Sequence, residues 1–244
     1  MAHRGDYHSK EQNTPSENPA PPRHSTPDSR CFEVLRRLLT EESSLAPDHR
    51  EDLRQSGLTD DTILQQHFCS IWPQTLHRLL GFSVQGADSA MLIPFPNPAG
   101  GLMDHIRVKV FPATLRDREG HSIKYLQPKG SPVRLFFPVA TIAEALDGEA
   151  PLWLVEGEKK SLAVAQLGLP AIGFCGIQAW HTAGSRELIP DFDLVALANR
   201  IVELVPDGDV RTNQHVRRGA EGFALALARR GAKPRLVVLP DRLQ

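Results

Sequence analysis

Short apolar runs broken by Pro, Gly or charge alternate along this chain with stretches in which apolar residues recur every three or four positions. From Met1 to Arg30 there is no Leu, Ile, Val, Phe or Trp, and Pro15, Pro19, Pro21, Pro22 and Pro27 interrupt a polar run. Such a segment buries too little apolar surface to offset its ordering entropy, so residues 1–30 are predicted to be a disordered tail. Order is predicted to begin with an amphipathic helix in which Phe32, Leu35 and Leu39 recur at helical spacing. A second helical unit follows around Asp48 to Gln55. Thr59 then offers a capping start before Ile63, Leu64 and Phe68.

From Ala90 the texture changes to Met91-Leu-Ile-Pro-Phe-Pro, Ile106-Arg-Val-Lys-Val-Phe, Lys124-Tyr-Leu and Val133-Arg-Leu-Phe-Phe, which read as the strands of a compact β-rich unit. Ile106, Val108 and Val110 alternate with Arg107 and Lys109, which predicts the two cations on the solvent face of one strand. From Leu152 the pattern alternates strand and helix. Strands are predicted at Leu152-Trp-Leu-Val, Ala171-Ile-Gly-Phe, Ile201-Val-Glu-Leu-Val and Leu236-Val-Val-Leu. Helices are predicted from Glu158 to Leu167, closed by Gly168, and through Val216, Ala220, Phe223 and Leu227. Strands joined by helical crossovers imply a mainly parallel sheet with helices on both faces. The expected class is α/β, with a tail at 1–30, a smaller α+β domain at 31–150 and the parallel-sheet domain at 151–244.

Composition narrows the function only by exclusion. The 244 residues are 41% hydrophobic and 23% charged, which is ordinary for a globular protein. Net charge is −1, so any attraction for nucleic acid must come from local patches. Two exist. Between His105 and Arg134 seven Lys and Arg stand against Asp117 and Glu119, and between Arg211 and Arg235 seven stand against Glu221. Cys31, Cys69 and Cys175 are far apart and form no CxxC pair, so neither a disulfide framework nor a zinc ribbon is written here. No apolar run approaches the roughly 18 residues of a membrane span, and a cytoplasmic location with no membrane partner is expected.

The chemistry-bearing residues sit where two strands end. Glu156-Gly157 lies at the carboxyl end of one predicted strand and Pro206-Asp207-Gly208-Asp209 at that of another, the edge at which open α/β sheets bind ligands. If the strands are neighbours, Glu156, Asp207 and Asp209 converge, and in extended geometry the two aspartates face the same side. Three hard carboxylates close together repel unless a cation joins them, and Mg²⁺ suits such oxygens while leaving positions for phosphate.

Leu154-Val-Glu-Gly-Glu, about fifty residues before Leu204-Val-Pro-Asp-Gly-Asp, resembles the TOPRIM domain of primases, topoisomerases and related nucleases. Ser56-Gly-Leu-Thr-Asp-Asp-Thr-Ile, Met91-Leu-Ile-Pro-Phe, Arg118-Glu-Gly-His, Lys124-Tyr-Leu-Gln-Pro-Lys and Leu135-Phe-Phe-Pro occur in the order seen in bacterial-type primase cores. Glu156-Gly-Glu-Lys-Lys with the later Pro-Asp-Gly-Asp is similar to primase-like proteins of plasmids and phages.

The resemblance implies a Rossmann-like TOPRIM domain at the C-terminal side and a primase-like nucleotidyl transfer on DNA. Glu156 would be general base or metal ligand, and Asp207 and Asp209 would bind Mg²⁺, or Mn²⁺. Lys124 and Lys129 would line the surface gripping single-stranded DNA or a nucleoside triphosphate, with Arg107 and Arg134 as further contacts. Lys159 and Lys160 would meet phosphate at a helix N-terminus. A replicative helicase is an expected partner. Two departures stand out: Lys160 occupies a place where primases usually carry an acid, and no acidic continuation follows the last strand before Gln244. The alternatives are a TOPRIM nuclease using the same carboxylates and a non-catalytic module that binds single-stranded DNA or a helicase.

Overall fold

The computed structural model describes residues 44–117, 119–182 and 184–239, with Asp209 described by its backbone alone. The expected tail, the helix at Phe32–Leu39 and residues 240–244 lie outside these. Two short helices come first, α1 (Pro47–Arg54) and α2 (Asp60–Gln65). Thr59 caps α2 as its spacing predicts, its side chain accepting from the Thr62 N–H. An antiparallel sheet follows in the order β1 (Cys69–Ile71), β2 (Ser89–Pro96), β3 (Leu102–Phe111) and β4 (Tyr125–Leu126). Helix α3 (Pro73–Leu80), ended by Gly81 in the left-handed region at φ 76°, lies between β1 and β2. Neither β1 nor α3 is evident from the hydrophobic pattern.

Period-two alternation gives this sheet two buried faces. Ala90, Leu92, Ile106, Val108 and Val110 pack with Leu76, Leu79 and Leu80 of α3 in one core. Met91, Ile93, Phe95 and Met103 point the other way, into a second core shared with the C-terminal half of the chain. Arg107 and Lys109 share that second face. The expectation that they face solvent is therefore corrected: the alternation is as read, but α1 and a later helix cover the face.

Val133-Arg-Leu-Phe-Phe is no strand of this unit. Phe136 instead exchanges two backbone hydrogen bonds with Gly173, at 2.9 and 2.8 Å, tying this segment to the second sheet. Helix α4 (Ile142–Asp147) leads into that sheet. Arg200, 5% exposed, closes the end of α4 by donating to the carbonyls of Glu144 (2.6 Å) and Ala145 (2.7 Å).

The second sheet is parallel throughout, in the spatial order β6 (Ala171–Phe174), β5 (Leu152–Glu156), β7 (Ile201–Val205), β8 (Lys233–Leu236). Helix α5 (Glu158–Ala165) joins β5 to β6, and α6 (Gln214–Arg229) joins β7 to β8. The two helices cover opposite faces. A Cβ on Gly173 would lie 2.7 Å from the Ser161 hydroxyl of α5, whereas the next residue, Phe174, meets Phe223 of α6 edge to face at 5.3 Å. The last strand forms three residues earlier than the Leu236-Val-Val-Leu run predicts, because the pairing of Ile201 with Lys233 sets its register.

Candidate active site

Two clusters of charge lie around β5 and α5. The first is at the carboxyl end of the parallel sheet. Glu156 ends β5 and accepts from the Ile177 N–H at 3.1 Å and, with its other oxygen, from the Asp207 N–H at 2.9 Å. One carboxylate thus clamps the loops after β6 and β7. The chain can leave β5 at this angle because Gly157 adopts φ 98°, a conformation that L side chains resist. Asp207, half exposed, is ion-paired with Lys160 of α5.

The sequence brings Glu156 and Asp207 together as expected from neighbouring strand ends. The geometry expected between Asp207 and Asp209 is corrected, because residues Gly208–Arg211 wind into a 3-10 helix where extended backbone was predicted. Among the described residues no group of three His, Cys, Asp or Glu is placed to hold a metal, and the Asp209 side chain lies outside them. Glu156 and Asp207 nonetheless suit a hard divalent cation in donor type. The Lys160 ammonium sits on one Asp207 oxygen, so a metal ion would enter by displacing it.

The second cluster fills the cleft between the sheets. Asp52 of α1 accepts from Lys109 of β3 with one oxygen and from Lys159 of α5 with the other, the latter at 2.9 Å. Arg107 of β3 pairs with Glu158 at 2.5 Å, and its guanidinium lies 5.2 Å from the Tyr125 ring centre. Three cations face two carboxylates, so the cleft keeps a positive charge. All five side chains are at most 20% exposed, a burial that charged groups accept only when paired.

Burial would weaken the charge on Arg107, but Glu158 outweighs it and holds the guanidinium firmly protonated. Burial pushes the Tyr125 phenol up, helped by Glu158 and Asp52, and burial likewise raises the Cys175 thiol. Both therefore stay protonated at neutral pH. Lys109 is pulled down by burial, with Asp52 opposing the fall and Lys159 adding to it.

The remaining expected contacts are spread out. Lys124 and Lys129 are exposed near β4. Arg134 donates to Asp191 at 2.9 Å, and the buried Asp191 also accepts from the Leu135 N–H at 2.7 Å, which ties the segment after β4 to the 3-10 turn at Pro190–Leu194. Lys159, expected at phosphate, is engaged with Asp52. Asp52, Tyr125 and Glu158 were not singled out by the sequence reading. Glu158 carried a signal, since it stands two residues after Glu156 in the same motif, whereas nothing local marks Asp52.

The architecture has solved counterparts. The zinc-binding and RNA polymerase domains of the Aquifex aeolicus primase are 16% identical with a TM-score of 0.55, covering 87% of this chain and 54% of that one. A DnaG catalytic core is 19% identical with a TM-score of 0.56, over 87% of this chain and 71% of that one. The fold is that of bacterial primase cores. The RNA polymerase domain of the Mycobacterium tuberculosis primase DnaG agrees, at 17% identity and a TM-score of 0.54, over 88% of this chain and 74% of that one. The chain spans about half the length of that two-domain Aquifex chain. A family model described as a domain of unknown function, DUF3854, matches residues 144–244, which run from α4 through the parallel sheet. No curated protein matches this sequence. Among the described residues no helix is long and apolar enough to cross a membrane.

Proposed function

We propose that the chain is a TOPRIM-type, primase-like nucleotidyl transferase that acts on single-stranded DNA and nucleoside triphosphates in plasmid or phage replication. The observation that carries this is Glu156 clamped to the Asp207 backbone at the ends of adjacent parallel strands, beside a cleft of net positive charge. Asp207 and Asp209 would hold Mg²⁺ or Mn²⁺, with Glu156 alongside. A divalent cation held there would supply the charge that neutralises the triphosphate. Glu156, fixed by the Ile177 and Asp207 N–H donors, takes the proton of the attacking 3′-hydroxyl as general base. Lys160, released from Asp207, turns to the phosphates. Arg107, Lys109 and Lys159 give the cleft wall a fixed positive potential, and the exposed Lys124 and Lys129 hold the template.

The Lys160–Asp207 pair supports a second reading, in which the ammonium is a built-in countercharge and the protein binds single-stranded DNA or a helicase without turnover. One experiment separates them. Incorporation of labelled ribo- and deoxynucleotides on a single-stranded template is followed with Mg²⁺ or Mn²⁺ for the natural chain and Asp207→Asn/Asp209→Asn. Product that disappears in the variant supports nucleotidyl transfer, and template shortening that disappears assigns the carboxylates to a nuclease. Strand binding by both proteins without product in either overturns catalysis and leaves the binding module.

A further inference from the structure

Three consecutive residues open α5, and each reaches a different part of the fold. Glu158 meets Arg107 of β3, Lys159 meets Asp52 of α1, and Lys160 meets Asp207 after β7. The first turn of α5 therefore joins the cleft to the acidic strand ends, and each of its two lysines is held by an aspartate remote in sequence.

At Asp52 the arrangement is that of a bound anion. One oxygen accepts from Lys109 and the other from Lys159, the latter at 2.9 Å, so two ammonium groups from different halves of the fold share one carboxylate. Two oxygens of a phosphate offer the same pair of acceptors with at least the same charge. Lys109 lies 5.0 Å from the Phe111 ring centre and 6.0 Å from that of Tyr125, and Arg107 lies 5.2 Å from the same Tyr125 ring. Lys109 and Arg107 thus share one wall, and Lys159 faces it across Asp52. Repulsion from Lys159 adds to the fall that burial imposes on Lys109, so the two ammonium groups need an anion between them.

That anion need not be Asp52. Helix α1 is anchored without it: Leu53 is fully buried, and His49 stacks on Phe111 at 4.3 Å and bonds the Ser70 and Ser89 hydroxyls at 2.8 and 3.1 Å. The Asp52 side chain can change rotamer while the backbone stays. Asp52, Lys109 and Lys159 keep 20%, 13% and 14% of their side chains open to solvent, so an exchange of anions is reached from the cleft surface. An entering phosphate leaves both ammonium groups paired throughout.

We infer that the Asp52 carboxylate is an internal stand-in for a phosphate: it fills the seat made by Lys109 and Lys159 in the free chain, and a phosphate of a single strand or of a nucleoside triphosphate displaces it. The inference rests on the proposal above that the cleft meets phosphate. It adds a competitor within the chain that weakens this binding.

Anisotropy of a fluorescein-labelled oligothymidylate titrated with the full chain in EDTA tests it, with calorimetric titration of ATP in the same buffer alongside. Asp52→Asn is expected to bind strand or ATP at least tenfold more tightly than the natural chain. For the strand, log K should also fall more steeply against log salt, by about 0.7 for each phosphate the freed lysines take up. Asp52→Glu, which restores the carboxylate, and Asp61→Asn, which removes an equal charge from the neighbouring helix, are expected to stay within twofold of the natural chain. Lys159→Met is expected to weaken the same ligand at least threefold. Lys109 still pairs with Asp52 in that variant, so it decides the matter should Asp52→Asn not remain folded. Tightening confined to the strand assigns the seat to a strand phosphate, tightening confined to ATP assigns it to the triphosphate, and tightening of both shows that they share it. Affinities of Asp52→Asn within twofold of the natural chain for both ligands, or an equal gain in Asp61→Asn, overturn the inference and leave the cleft as a binding surface. Absence of binding of either ligand by every one of these proteins overturns the reading of the cleft and the inference with it.

Discussion

Replacing Asp52 by Asn tests whether the cleft is a closed, paired cluster or a wetted basic face. In the folded chain this carboxylate serves Lys159 at 2.9 Å and Lys109 at once, and the three side chains are 13–20% exposed. At an effective dielectric near 20, one such contact is worth about 6 kcal/mol of gross Coulomb attraction. Desolvation offsets much of this, and the two ammonium groups repel across the shared acid. Removing the acid leaves both cations buried against each other, a change that typically costs about 3–5 kcal/mol. Lysine stems can carry their heads toward water, which places the expected loss at about 3 kcal/mol. For a chain of this size that lowers Tm by roughly 10 °C. Urea unfolding of the natural chain, Asp52→Asn, Lys159→Met and the double variant supplies the measurement. The double variant should recover at least about 1 kcal/mol relative to Asp52→Asn, because it removes the repulsion. A loss below about 0.5 kcal/mol for Asp52→Asn, or a double variant less stable than either single, would refute the paired cluster. Burial would raise the Asp52 carboxyl, but hydrogen bonds from Lys109 and Lys159 outweigh it and hold the group below the usual carboxylate range. Its stabilisation is therefore present above the unfolded value near 4 and is lost as pH falls through the lower folded value.

Other expectations follow from single groups. His105, 5% exposed and edge-on to Phe95 at 4.5 Å, has its imidazole pushed down to about 4 by burial, with Arg134 and Arg107 adding to the fall. The unfolded chain binds the proton more readily, so about 3 kcal/mol of stability present above pH 6.5 should drain away between pH 6.5 and 4. A His105→Leu chain whose unfolding free energy falls as steeply over that window would exclude this cause. Lys160→Gln frees the Asp207 oxygen and should tighten Mn²⁺ binding about tenfold by titration calorimetry, whereas unchanged affinity would show that the ammonium does not compete with metal.

Much of the fold was written locally. The strand–helix alternation after Leu152 and the Thr59 cap need only near neighbours, so pattern and turn chemistry suffice to place them. The meeting of Glu156 with Asp207 was legible as well, because both end strands of one parallel sheet and ligand edges follow from that topology. Tertiary structure decided what covers each face. The alternation of Arg107 and Lys109 with Ile106, Val108 and Val110 is visible in the sequence, yet alternation states only that two faces differ. Burial of the charged face follows from Asp52, 57 residues from Lys109, and from Glu158, 51 residues from Arg107. Likewise Val133-Arg-Leu-Phe-Phe has the composition of a strand, but its backbone is satisfied by Gly173 of the other sheet. The sequence by itself determined the backbone of the strongly periodic segments and which strand ends carry acid, but not β1, α3 or the 3-10 turn at Gly208–Arg211. Packing of one sheet against the other decided which charges are paired and which stay open to a ligand, because those outcomes depend on distances between residues remote along the chain.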